Sequence, residues 1–142
     1  MRVFLLSLLG LLIPAIAPAR CLPFDLLESI GTIPYIVHGT VTRSNQADLA
    51  SAQCGPEVCE HRFDIDVREI LKGQTGQSKL HVNYDYVPQR PNISLFSDGD
   101  EYVFAIRAIA EDGKATLLGT TCGRSGLAAT RLDAVKKALR KR

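Results

Sequence analysis

The sequence lacks the features that would define a membrane-spanning protein or an enzyme. After one apolar run at residues 3–13 there is no second run of this kind, so no transmembrane span is expected. It contains no internal repeat, no low-complexity tract and no C-x-x-C motif, which leaves a thioredoxin-type redox role without support. No nucleophile, base and orienting group combine into a catalytic constellation. An enzyme is therefore the least supported class, and no cofactor or metal is expected.

Residues 1–19 have the pattern of a secretory signal peptide. Arg2 precedes the apolar run at residues 3–13, and small residues follow that run. The small-x-small rule allows cleavage after Ala17 or Ala19, and the second position is favoured because the first would leave a proline at the new amino terminus. The pattern predicts a secreted or periplasmic protein.

The mature part is expected to form a single, mainly β domain over residues 20–127. A short helix is predicted near residues 24–30, and residues 45–60 are predicted to form a loop. Five strands are predicted at residues 35–43, 61–71, 79–87, 101–109 and 114–122. Five antiparallel strands, with a bulge expected near the end of the second, suggest a small barrel or sandwich, and a five-stranded Greek-key barrel of the OB type is favoured.

The cysteines are interpreted as disulfide partners. There are four, Cys21, Cys54, Cys59 and Cys122, and an even number in a small exported domain typically forms disulfides, with three connectivities open. Spacing favours Cys54 with Cys59 across a short turn, which leaves Cys21 for Cys122. A zinc site at Cys54, Cys59 and His61 would need further ligands from elsewhere, so disulfides are the preferred interpretation.

The histidines and paired carboxylates are predicted to be solvated rather than functional. His38, His61 and His81 are assigned to outward faces of three different strands. Asp64 and Asp66 alternate with apolar residues and are also expected to face water. Paired carboxylates can perform acid–base chemistry, but no nucleophile accompanies these two.

Basic residues concentrate in a predicted amphipathic helix at residues 128–142. The last twelve positions hold six basic residues and one acidic residue, so the rest of the mature domain is mildly acidic. Nucleic acid is therefore not an expected partner. The helix is expected to dock its apolar side on the barrel and to expose a basic face that includes Lys136, Lys137 and Arg140. The alternative is a weak contact between these side chains and anionic lipid.

The order of segments resembles a known family. The matching segments are IVHGTV at residues 36–41, FDIDVREILKG at 63–73, GDEYVFA at 99–105 and TTCG at 120–123. With Cys21 near the mature amino terminus, they resemble the netrin-like, tissue-inhibitor-of-metalloproteinases-like OB-fold domains, in particular small exported bacterial members. The resemblance implies an OB barrel that acts without catalysis.

In the inhibitors of that family an amino-terminal cysteine chelates the zinc of a metalloprotease, and only Cys21 can be carried over to this role. Two departures weaken it: Pro23 replaces the second cysteine of the family's C-x-C pair, and Arg20 is predicted to precede Cys21. The leading hypothesis is therefore a non-enzymatic binding module that contacts a protein through loops near Cys21 and residues 45–60. Inhibition of an extracellular or periplasmic metalloprotease, and envelope association through the basic helix, are the alternatives.

Overall fold

Most of the regular structure consists of β-strands, in which apolar residues alternate with polar ones. The computed structural model describes residues 24–51, 59–86, 95–119 and 126–141. The elements are α1 (Leu26–Ser29), β1 (Tyr35–Thr42), α2 (Gln46–Ser51), β2 (Cys59–Lys72), β3 (Lys79–Tyr86), β4 (Glu101–Ile109), β5 (Lys114–Leu117), β6 (Gly126–Ala128), a 3-10 turn (Ala129–Arg131) and α3 (Leu132–Arg140).

Five of the strands close into a barrel in the order β1-β2-β3-β5-β4, because β1 pairs with both β2 and β4. All of these pairings are antiparallel except β3 with β5, where His81 lies opposite Lys114 and Val82 opposite Ala115. The short strand β6 extends the sheet beside β4. The predicted OB-like barrel is confirmed, but the prediction that all five strands are antiparallel was wrong for β3 and β5, whose parallel pairing makes the sheet mixed.

The predicted bulge near the end of β2 is also confirmed. Ile36 lies opposite Lys72, whereas the next residue, Val37, lies opposite Ile70, so Leu71 has no partner across the strands. An extra residue of this kind bends a long strand, and β2 is fourteen residues long. The bend allows one strand to contribute to both sides of a small barrel.

Apolar side chains form two separate cores. The interior of the barrel holds the inward residues of every barrel strand, including Phe63, Ile65, Leu80 and Val82. A second cluster lies outside the barrel wall, between the sheet and helices α1 and α3. Strand β4 contributes alternate residues to both cores, which explains why its sequence is continuously apolar.

The carboxyl-terminal region differs in detail from the prediction. The helix begins at Leu132 and not at residue 128, because residues 126–128 pair with β4 as a sixth strand. Val135 is fully buried, and Leu132 and Leu139 pack partly buried against the outer core. The predicted loop at residues 45–60 contains the short helix α2, and β5 ends at Leu117, so the predicted strand at 114–122 was too long.

Replacing Gly39 with alanine is expected to destabilise the barrel by about 1–3 kcal/mol, the usual cost of overpacking. A Cβ atom at this position would lie 2.4 Å from Ile65 Cγ2 and 2.8 Å from the carbonyl oxygen of Asp66, so the two strands would have to separate. Urea denaturation measures the change. The matched control is Gly76→Ala, where a Cβ atom meets nothing within 4 Å. Equal stability of the two variants would contradict the close packing of β1 on β2.

Candidate functional site

A concave pocket of about 480 Å³ lies on the outer face of β2 and β3. The loop after β1 and the turn between β4 and β5 form its two sides. Its polar lining consists of the basic residues Arg43, Arg62 and Lys114, the acidic residues Asp64 and Asp112, the amides Asn45 and Asn83, and His81. In OB barrels the β2–β3 face and these two loops are the usual place for ligands, so both position and composition make this the candidate site.

A buried carboxylate organises the inner wall of the pocket. The Asp64 side chain is only 9% exposed. Its Oδ1 lies 2.7 Å from Nδ1 of His81, and its Oδ2 accepts hydrogen bonds from the guanidinium of Arg43. Burial by itself opposes ionisation, but the hydrogen bonds from His81 and Arg43 outweigh it and hold the pKa of Asp64 below its usual value. The ionised carboxylate can only accept, so Nδ1 of His81 is the donor.

The prediction that both carboxylates of this strand are simply solvated was therefore half wrong. Asp66 is partly exposed and pairs with Lys79 at 2.9 Å, as a solvated residue does. Asp64 points outward from the same strand but is covered, because Arg43 folds over it from the loop after β1. The pattern along β2 reports which face a residue occupies. It does not indicate whether a loop from a distant part of the sequence covers that face.

The loop after β1 is held in place by its own backbone and by the segment before β4. Arg43 adopts a left-handed conformation with φ of 53°, which non-glycine residues rarely do. The backbone N–H of the next residue, Ser44, donates a 2.7 Å hydrogen bond to Asp98 Oδ1, and the Ser44 hydroxyl donates to the carbonyl oxygen of Phe96. The position of Arg43 over Asp64 is therefore set by contacts that anchor the neighbouring residue.

His61 lies beneath the pocket and is fully buried, contrary to its predicted outward position. Its Nε2 accepts the backbone N–H of Phe96 at 3.0 Å, so Nδ1 carries the proton and donates to Asn45 Oδ1 at 2.9 Å. Burial lowers the pKa of His61 from 6.5 to about 4, so the imidazole is neutral at physiological pH. The alternation that places Phe63 and Ile65 inside applies equally to His61, and that signal could have identified it.

Asn45 connects this buried histidine to the pocket wall. Its Oδ1 also accepts the backbone N–H of Arg62 at 2.8 Å, and its Nδ2 donates to the carbonyl oxygen of Glu60 at 2.9 Å. The His61 ring lies 5.1 Å from the ring of Phe63, measured between centroids, within an aromatic cluster. The amide is thus bound on both polar atoms and serves as a structural clamp between the loop and β2.

The other predicted residues lie elsewhere. Cys21, Cys54 and Cys122 are outside the described residues, so the predicted pairing stays a prediction; Cys59 begins β2 and is disulfide-bonded. His38 is half-buried, with its Nε2 3.4 Å from Glu101 Oε2, and does not line the pocket.

The predicted basic contact residues all belong to α3. Lys136 pairs with Glu69 at 2.7 Å, whereas Lys137 and Arg140 are exposed. No residue of α3 lines the pocket. The structure therefore does not bring the basic helix and the candidate site together.

Residues 45–60 were predicted as a contact surface, and this stays a prediction: Asn45 lines the pocket, and residues 52–58 lie outside the described residues. Four further lining residues were not predicted from the sequence, because they come from separate segments and form no linear motif: Arg43, Arg62, Asn83 and Lys114. Among the described residues, no helix has the length and apolar character needed to cross a membrane. A scan against models of known protein families and a search of curated proteins each gave no match.

Proposed function

We propose that the chain is an exported, non-enzymatic binding module that contacts a protein partner through the pocket on β2 and β3. The observation that carries this proposal is the pocket itself, a polar concavity whose walls are positioned by buried hydrogen bonds at Asp64 and His61. Recognition loops on a rigid β scaffold are a common arrangement for binding proteins. The disulfides and the signal peptide predicted from the sequence agree with a role outside the cytoplasm.

The composition of the pocket favours binding over catalysis. The lining includes no serine, threonine or cysteine among the described residues, so no hydroxyl or thiol nucleophile stands beside the Asp64–His81 pair. The carboxylate of Asp64 is already engaged by Arg43 and His81 on its two oxygens. The pair therefore orients side chains in the wall of the pocket, and the remaining polar groups are available for contact with a partner.

Envelope association through α3 is the second candidate. The apolar side of the helix packs on the outer core through Val135, so that side is not available for insertion into lipid. The exposed side chains of Lys137 and Arg140 leave electrostatic attraction as the remaining mode of membrane contact. Metalloprotease inhibition through Cys21 rests on the family resemblance alone.

The proposed function is tested by site-specific photocrosslinking in the source cells. The photoreactive amino acid p-benzoylphenylalanine replaces Asn83 in the pocket or, as the matched control, Lys137 on α3; both positions are exposed. We expect a discrete covalent protein adduct from position 83 and none from position 137. Adducts from position 137 alone would favour the envelope alternative. The absence of protein adducts from position 83 would contradict the proposed contact surface.

A further inference from the structure

We propose that the pocket binds the carboxylate of an acidic segment in the protein partner, with Arg62 and Lys114 as the two groups that contact it. This inference rests on the proposed function and adds the chemistry of the partner. It follows from the way the charged groups of the lining are already paired.

The two acidic residues of the lining are largely occupied within the protein. Both carboxylate oxygens of Asp64 have partners, Arg43 and His81. Asp112 Oδ1 accepts the backbone N–H of Lys114 at 3.0 Å and so stabilises the turn between β4 and β5. Asp64 is therefore not a free counter-ion for the cations at the rim of the pocket, and one oxygen of Asp112 is occupied by the turn.

Two of the basic residues, by contrast, keep unused donors. The Lys114 side chain is exposed and forms no ion pair with any residue in the described ranges. The Arg62 side chain is 68% exposed. Its Nε lies 3.8 Å from the carboxylate oxygen Oε2 of Glu60, which is beyond hydrogen-bond distance. Glu60 itself accepts a 2.7 Å hydrogen bond from Asn83 Nδ2. The pocket therefore has a surplus of donors and positive charge.

The strand register places Arg62 and Lys114 on the two strands that flank β3. Arg62 on β2 lies opposite Asn83 of β3, and Lys114 on β5 lies opposite His81, two residues earlier on β3. The backbones of β2 and β5 are two strand spacings apart, roughly 10 Å. Long side chains from both flanks can reach a single carboxylate seated over β3, and the guanidinium of Arg62 offers the planar fork that matches it.

The mixture of charges favours a carboxylate within a protein over a polyanion. The pocket lining contains three basic and two acidic residues, and the Lys79–Asp66 pair lies farther along the same two strands. Nucleic acids and sulfated polysaccharides are bound by uniformly basic grooves that neutralise many charges. An isolated carboxylate needs only one or two local donors, which is what this pocket provides.

The test uses the full mature chain labelled with ¹⁵N and titrated with short synthetic peptides. The main probe alternates serine and glutamate and is blocked at both ends, so that side-chain carboxylates are its only charges. The matched peptide replaces each glutamate with glutamine. A third peptide, serine and glutamine with a free terminal carboxylate, distinguishes a terminal from a side-chain carboxylate. A heparin-derived oligosaccharide represents polyanions.

We expect the glutamate peptide to shift the amide resonances of Arg62, Asn83 and Lys114, and the glutamine peptide to shift none. Arg62→Gln or Lys114→Gln should each weaken binding about tenfold, the usual effect of losing a hydrogen bond to a charged group. The control variant is Lys79→Gln, which removes a cation of β3 outside the pocket lining and should bind normally. Chemical shifts elsewhere report whether each variant stays folded.

Equal binding of the glutamate and glutamine peptides, no binding of any carboxylate peptide, or tighter binding of the oligosaccharide would each overturn the inference. If the crosslink from position 83 persists in those cases, the protein-contact function stands and only the carboxylate chemistry is wrong. If the crosslink also fails, the contact surface itself was wrongly assigned.

Discussion

His61 is expected to lower the free energy of unfolding by about 3 kcal/mol between pH 7 and pH 4. Burial lowers the pKa of its imidazole from 6.5 to about 4 in the folded protein. The unfolded chain therefore binds a proton more tightly, and the stabilisation from neutral His61 is present above pH 6.5 and lost as the pH falls towards 4. A difference of this size in pKa corresponds to about 3 kcal/mol.

Urea denaturation at several pH values between 7 and 4 measures this slope, and His61→Gln should remove it. His81→Gln is the matched control: it replaces a half-exposed histidine on the neighbouring strand. Asp64, whose pKa is lowered, stabilises the fold above its ordinary value of 3.8, and this stabilisation is lost mainly as the pH falls below 4, so that Asp64 adds little to the slope in the window tested. A slope that persists in His61→Gln would show that another group is responsible.

Phe96→Ala is expected to lower the free energy of unfolding by about 3–5 kcal/mol, the usual cost of truncating a buried phenylalanine. The Phe96 side chain is 1% exposed, and its ring contacts those of Phe63, Tyr102 and Phe104 at centroid distances of 5.0, 4.9 and 5.3 Å. Its removal leaves a cavity at one end of the barrel.

The same variant should also disturb the pocket. The backbone of Phe96 donates to His61 and accepts from the hydroxyl of Ser44, the residue next to Arg43. Chemical and thermal denaturation report the stability, and amide shifts at Arg43 and Asn45 report the loop. The control is Phe24→Ala, which truncates a half-buried ring on the outer core and should cost less. Similar losses in both variants, with no shifts in the loop, would contradict this link.

Much of the barrel could be predicted from local patterns. The alternation in β2 and β3 places Phe63, Ile65, Leu80 and Val82 on one face of each strand, and all four are buried. Alternation works here because each strand has one face on the core, and the period of two follows from backbone geometry alone. The continuously apolar sequence of β4 agrees with its position between the two cores.

The errors in element boundaries came where tertiary pairing decides the structure. The short strand β6 exists because β4 offers it a free edge over residues 102–104. A segment of three residues has no periodicity that a sequence pattern could detect. The helix α3 accordingly begins later than its apolar spacing indicated.

By itself, the sequence determined the class of fold, the inner faces of the strands and the basic carboxyl-terminal helix, because these depend on residues close together along the chain. The candidate site was decided only by the tertiary structure. Closure of β1, β2, β3, β5 and β4 into a barrel brings Arg43, Arg62, His81 and Lys114 to one face from four separate segments. No local pattern records that proximity, since it arises from strand register and from a loop that folds back over Asp64.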